Sequence, residues 1–272
     1  MDKMILTASI CGAETMKEHN PAVPYTTAEL AAEARRSADA GASIIHLHVR
    51  YDDGTPTQDK ARFQECIEAV RAACPDVIIQ PSTGGAVGMT DDERLQPTEL
   101  NPEMASLDCG TLNFGDDIFV NSKATIIAFA ERMKQNRIKP ELEVFDKSMI
   151  DTALRLYKQG YLVGPLHFNF VVGLEGGITA EMRDVSFLRD SIPPDATFTL
   201  TGVGRAAFPC VAMAAILGGN ARVGLEDNIY LERGKKTPSN GDLVAKAAEI
   251  ARLLGREIAT PAEARQILSL VK

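Results

Sequence analysis

The chain has 272 residues, 45% hydrophobic and 24% charged, with a formal net charge of -8, a composition that suits one large soluble α/β domain spanning 1–272. That acidity offers no broad basic surface for nucleic acid, and no stretch approaches the roughly 18 apolar residues of a membrane span. The five cysteines, Cys11, Cys66, Cys74, Cys109 and Cys210, are scattered and never form Cys-x-x-Cys, which argues against a disulfide framework or a thiolate metal cage and for a reducing, cytoplasmic setting.

The first segment, Met1 to Thr7, lacks the basic-then-apolar pattern of an export signal and leads into an apolar run, Met4 to Ile10, read as a strand. It ends in Cys11-Gly12-Ala13-Glu14. Thr26-Thr27-Ala28-Glu29 is a capping box that opens a helix reaching about Gly41. The second strand, Ile44 to Val49, carries two of the chain's four histidines at alternate positions, His46 and His48. In a strand, residues i and i+2 share a face about 7 Å apart, so the two imidazoles can share one metal ion. The plainer reading is a pair of core histidines satisfied by hydrogen bonds.

A helix is expected over Lys60 to Ala73, a strand over Val77 to Gln80, and then Pro81-Ser82-Thr83-Gly84-Gly85-Ala86-Val87-Gly88. The amides around Gly85 and the hydroxyls of Ser82 and Thr83 make a nest for a carboxylate or phosphate, or else simply a flexible turn. Met104 to Leu107 reads as a strand ending at Asp108, and Ser122 to Gln135 as a helix. The next strand, Leu142 to Phe145, follows Glu141 and contains Glu143, two carboxylates of one parity where a buried parallel strand should be apolar. Ser148 to Gln159 is expected to be helical and Leu166 to Val172 a strand.

Thr197 to Thr201, a strand, runs into Gly202-Val203-Gly204-Arg205-Ala206-Ala207, the glycine spacing of a dinucleotide-binding turn, with Glu226 about 20 residues on. That supports a rival expectation, a nicotinamide-dependent oxidoreductase. The motif falls late in the chain, however, and the loops after strands 7 and 8 of a barrel commonly hold phosphate. After a helix over Ala206 to Leu217, the strand Ala221 to Leu225 places Arg222, Gly224 and Glu226 on one parity. A buried Glu226 carboxylate needs a cation, whether a metal, Arg222 or Arg50. Helices at Asp242 to Leu254 and from Thr260-Pro261-Ala262-Glu263 close the chain.

Eight strands alternating with helices predict a (β/α)8 TIM barrel, with a doubly wound sheet as the competing fold. In a barrel the polar residues noted above cluster at the carboxyl ends of the strands, where barrels carry their chemistry.

Taken together, Gly12-Ala13-Glu14-Thr15, Ile45-His46-Leu47-His48-Val49-Arg50, Gln80 to Gly88, Gly110-Thr111-Leu112-Asn113-Phe114-Gly115-Asp116-Asp117 and Gly224-Leu225-Glu226-Asp227-Asn228 resemble the β-keto acid cleavage enzymes over essentially the whole length. The resemblance implies a TIM-barrel homotetramer binding one divalent ion, usually zinc, through His46, His48 and Glu226. It implies conversion of a β-keto acid and acetyl-CoA to acetoacetate and a new acyl-CoA, with Asp227 as base and Arg222 orienting it. Ser82, Gly85, Ser106 and Glu143 map to substrate-binding positions, with Ser106 standing where a threonine is expected. Glu14 and Glu143 suit a substrate ammonium, which favours an amino-substituted keto acid such as (S)-5-amino-3-oxohexanoate, an intermediate of lysine fermentation. Arg205 and the glycines beside it are candidates for the CoA phosphates or pantetheine.

Overall fold

The computed structural model describes residues 3–270, so Met1 and Asp2 of the segment read above as lacking an export signal lie outside the described residues. Eight parallel strands form the central sheet: β1 (Leu6–Cys11), β2 (Ile44–Leu47), β3 (Ile78–Pro81), β4 (Met104–Asp108), β5 (Lys139–Val144), β6 (His167–Val172), β7 (Thr197–Gly202) and β8 (Asn220–Val223). Their order in space, β3-β2-β1-β8-β7-β6-β5-β4, follows the chain around a cylinder with one seam between β3 and β4. Thr83 bridges that seam: its N–H donates to Ser106 Oγ at 3.1 Å and its hydroxyl donates to the Ser106 carbonyl at 2.7 Å. The barrel expectation holds, and the doubly wound alternative falls with it.

Helices pack outside: α1 (Thr27–Ala40), α2 (Lys60–Ala73), α3 (Asp91–Leu95), α4 (Lys123–Gln135), α5 (Lys147–Lys158), α6 (Met182–Asp190), α7 (Ala207–Leu217), α8 (Asn240–Leu253) and α9 (Pro261–Ile267). The capping box read at Thr26/Glu29 is formed, and Thr260/Glu263, where the last helix was expected to open, forms another, each pairing two otherwise orphaned backbone N–H groups. The main apolar core lies between this helical ring and the strands' outer faces. A second apolar cluster, Ile5, Ile44, Ile78 and Met104 against Ala264 and Leu268, plugs the amino end of the barrel beneath α9.

Above the plug the barrel interior turns polar, because the inward parity of the strands carries Gln80, Ser106, Glu141, His167, Asn169, Thr199, Thr201 and Arg222, all buried. Three short antiparallel ribbons, Val49–Arg50 with Pro56–Thr57, Leu112–Phe114 with Asp117–Phe119, and Tyr230–Glu232 with Lys235–Lys236, sit in the loops that follow β2, β4 and β8. Two boundaries differ from the expectation in ways that matter. β2 stops at Leu47, so only His46 lies on the strand and His48 sits in the break before the first ribbon. β8 stops at Val223, so Glu226 comes from the turn that follows rather than from the strand itself. No helix among the described residues is long and apolar enough to cross a membrane.

Candidate active site and metal centre

The turn after β8 lies hard against the end of β1, and glycine makes this possible at two positions. A Cβ on Gly224 would stand 2.1 Å from the Ser9 carbonyl oxygen, and one on Gly12 would stand 2.5 Å from Cγ of Glu226. With both absent, Glu226 N–H donates to the Ser9 carbonyl at 3.2 Å and its side chain turns toward the histidines. Glu226 Oε1 lies 3.7 Å from Nε2 of His46 and 3.7 Å from Nε2 of His48, and one ligand atom from each of the three falls within 4.8 Å of the others. The two rings meet edge to face at 5.3 Å between centroids.

Several observations show that these groups suit a cation. His46 Nδ1 is 2.8 Å from the Gln80 amide oxygen, which fixes Nδ1 as the protonated nitrogen and leaves the Nε2 lone pair toward Glu226. Burial, reinforced by the Arg222 charge, holds His46 well below the usual imidazole range and pushes His48 down to about 3, so both rings are neutral at pH 7, the form that can ligate a metal. Burial pushes Glu226 up to about 8, against the opposing pull of Arg222. Its Oε2 is buried with no hydrogen-bond partner among the described residues. Two imidazoles and a carboxylate with one side open is the donor set of a catalytic zinc.

The salt bridge considered as the alternative for Glu226 is also present. Arg222, 4% exposed, binds Asp227 through Nε to Oδ2 and Nη2 to Oδ1, each at 2.9 Å, donates from Nη1 to Glu143 Oε1 at 2.9 Å, and touches Glu226 Oε1 through Nη2. One guanidinium thus faces three carboxylates and leaves the second Glu226 oxygen without a partner. Arg50 plays no part there, since its guanidinium donates to the backbone carbonyls of Gly12, Thr15 and Gly54 and holds the loop after β1. Ser9 Oγ donates to Asp227 Oδ2 at 2.5 Å.

The centre opens into a cavity of about 140 Å³ that His46, His48, Glu226, Asp227 and Arg222 line together with Glu14, Ser82, Gly85, Asp108 and Glu143. Its upper wall is apolar, with Val87, Phe114, Phe119, Phe145 and Val171. Glu14 is exposed at the mouth. Burial, together with the Asp108 and Glu141 charges, pushes Glu143 well above the ordinary carboxyl range in spite of Arg222. Ser106, expected to touch substrate, does not line this cavity; its hydroxyl is spent on Thr83 at the seam. Two contributors escaped the site expectation, Gln80 and Ser9, which orient other site residues; Asp108, expected at this rim, lines the cavity with a buried Oδ2 that has no hydrogen bond among the described residues and lies 3.6 Å from Arg94.

The β-keto acid cleavage enzyme family profile matches residues 3–270. The chain belongs to that family. It is 61% identical over 273 residues to the 3-keto-5-aminohexanoate cleavage enzyme of Acetoanaerobium sticklandii, and 62% identical to the enzyme of the same name from Fusobacterium nucleatum, with 100% of each chain covered in both cases. A more distant family relative, the 3-oxoadipate:acetyl-CoA acetyltransferase of Cupriavidus necator, is 38% identical over 98% of this chain and 94% of its own. Among solved structures, apo ObcA superposes with a TM-score of 0.81 at 19% identity, covering 92% of this chain and 66% of its own, a likeness of fold. The family's acyl-transferring chemistry removes the reason for a nicotinamide. The Gly202–Gly204 turn belongs to a closed barrel with no reversal of strand order, so the crevice where a dinucleotide binds an open sheet does not exist. Gly202 instead serves packing, since a Cβ there would stand 2.4 Å from the Ala206 carbonyl oxygen.

Proposed function

We propose that this protein is a metal-dependent β-keto acid cleavage enzyme of the cytoplasm, a homotetramer of single-domain chains, acting on (S)-5-amino-3-oxohexanoate. With acetyl-CoA it would yield acetoacetate and 3-aminobutanoyl-CoA. The observation that carries this reading is the approach of His46, His48 and Glu226 to one point, with Glu226 Oε2 unpartnered, beside Asp227 in the same cavity. The 61–62% identity to two enzymes named for the amino-keto acid supports the substrate.

His46, His48 and Glu226 would hold the divalent ion, zinc by its donor set. When bound, such an ion would supply Lewis acidity that acidifies the substrate carbon between the keto and carboxylate groups. Asp227 takes the proton from that carbon. Arg222 and Ser9 hold its carboxylate in one orientation through three hydrogen bonds. The carbanion attacks the acetyl thioester and displaces CoA thiolate, which then attacks the substrate's own keto carbon. Cleavage of the carbon–carbon bond releases acetoacetate, and the proton returns from Asp227. Glu14 and Glu143 receive the substrate ammonium, while Ser82 and the backbone at Gly85 receive its carboxylate. Ser106 acts from behind, by fixing Thr83 and the turn that carries Ser82 and Gly85.

The test is a panel of β-keto acids incubated with acetyl-CoA and assayed for acyl-CoA products. The amino-keto acid should exceed the dicarboxylate 3-oxoadipate by at least about tenfold in kcat/KM, since a buried carboxylate facing a second carboxylate instead of an ammonium forfeits more than about 1.4 kcal/mol. A preference for the dicarboxylate would overturn the substrate assignment, and ligand binding without any product would make the protein a binder.

A further inference from the structure

Acetyl-CoA carries most of its charge on a diphosphate and a ribose phosphate far from the thioester, and a chain of net charge -8 repels such an anion unless a local patch receives it. The rim supplies one patch. In the ribbon Tyr230–Glu232 with Lys235–Lys236, three cations, Arg233, Lys235 and Lys236, stand against the single carboxylate of Glu232. All of them are exposed, and the one ion pair in the group, Lys235 with Glu232 at 3.7 Å, is between side chains more than 60% exposed and therefore weak. Arg205, also exposed, opens the turn between β7 and α7; no ion pair among the described residues engages Arg205, Arg233 or Lys236.

These two rim segments are fastened to each other and to the active site. Gly204 N–H donates to the carbonyl of Asp227 at 2.8 Å. Lys246 of α8 donates to the Leu231 carbonyl and lies 4.2 Å above the Phe208 ring at the start of α7. From the other side, Asn20 Nδ2 holds the carbonyls of Ile229 at 3.2 Å and Thr237 at 2.9 Å. Val203, two residues before Arg205, and Asp227, three before the ribbon, both line the cavity. The cations therefore sit on a braced support next to Val203 and Asp227, which line the cavity. A merely solvated hairpin would need neither the bracing nor the excess of one sign.

We propose that the Tyr230–Lys236 ribbon, with Arg205 beside it, is the docking site for the phosphates of the CoA thioester; the assignment rests on the acetyl-CoA reading above. The loops after strands 7 and 8 are where barrels commonly take phosphate, and here the decisive cations come from β8's ribbon, not from the glycines after β7.

The test compares wild type with the Lys235→Glu/Lys236→Glu double variant on acetyl-CoA and on S-acetylpantetheine, which keeps the thioester but has no phosphate. The KM for acetyl-CoA should rise at least tenfold with kcat within twofold, the KM for acetylpantetheine should not move, and the salt dependence of the acetyl-CoA KM should flatten. An unchanged acetyl-CoA KM, or an equal rise for both thioesters, would overturn the proposal. If the double variant fails to fold, Arg233→Gln and Arg205→Gln are read by the same criteria with smaller KM shifts. If wild type cleaves no keto acid with either thioester, the functional reading fails separately. Calorimetric titration of CoA itself then decides the site: binding lost in the variant upholds it, while equal binding, or none to wild type, ends it.

Discussion

Two histidine–carboxylate groups share the barrel interior and behave differently. On the inner faces of β5, β6 and β7, His167 Nε2 is 3.1 Å from Glu141 Oε2, its Nδ1 is 2.8 Å from Thr197 Oγ1, and Asn169 donates to Glu141 Oε1 at 3.3 Å, so every polar atom of the pair has a protein partner. At the carboxyl end, His46 and His48 stop 3.7 Å short of Glu226, and one carboxylate oxygen has no hydrogen-bond partner among the described residues. The first group is a finished internal structure. The second has the same chemical ingredients but leaves ligand atoms facing one another unpaired among the described residues, as the proposed ion would require, which distinguishes a candidate site from a polar core better than residue type does.

The largest separation between the two groups should come from Asp227→Asn, which keeps the side chain's size but gives up one of the two acceptor oxygens that Arg222 engages and cannot accept the substrate proton. Its kcat should fall by about 10²–10⁴ with metal content intact, measured by steady-state assay and elemental analysis of one preparation. Loss of the ion in this variant would make Asp227 a ligand instead of a base. In the lower group, His167→Leu strands the Glu141 carboxylate. It should cost about 3–5 kcal/mol in denaturant unfolding while sparing bound metal. A loss of metal without loss of stability would mean that the two groups are not separate.

The difference was only half legible in the chain. His46 and His48 announced themselves by alternation within an unbroken β-branched run, and parity put Glu141 and Glu143 on one face. His167 did not, because Thr197 and Glu141, which satisfy it, are 30 and 26 residues away and are brought close only by parallel pairing of neighbouring strands. The same blindness hid the Gln80–His46 and Ser106–Thr83 contacts, 34 and 23 residues apart. All eight barrel strands were plain as apolar runs. The start of β5 was not, since Lys139 and Pro140 read against a strand, and the rim ribbons of two or three residues are too short to show a period. Helix α6 was missed because it turns only Val185 and Leu188 inward and lacks a capping side chain at Glu181.

Acid should sharpen the comparison by a smaller amount. In the metal-free protein, burial keeps His46 and His48 neutral in the fold, whereas both imidazoles titrate near 6.5 when unfolded. Folded-state values below the unfolded one give stability that is present above pH 6.5 and lost as pH falls toward 3, at up to about 1.4 kcal/mol per pH unit for each ring. Glu226, raised to about 8, slopes the other way: its contribution is present below about 4.5 and lost as pH climbs through 8. Comparing wild type with His48→Gln in chelator cancels the Glu226 slope to first order. The wild-type advantage should shrink between pH 6.5 and pH 5, and parallel curves would contradict the neutral-ligand picture. The smallest effect belongs to the plug at the far end of the barrel, where Thr260→Ala removes the α9 cap. It should cost about 1 kcal/mol and leave kcat unchanged.

Whether His46, His48 and Glu226 hold an ion is decided by the divalent metal content of purified wild type, His46→Ala, Glu226→Gln and His167→Leu, determined by elemental analysis after dialysis against metal-free buffer. About one equivalent per chain should remain in wild type and His167→Leu, and almost none in the other two. An ion retained at full stoichiometry by Glu226→Gln, or absent from wild type resupplied with zinc, would contradict that ligand set.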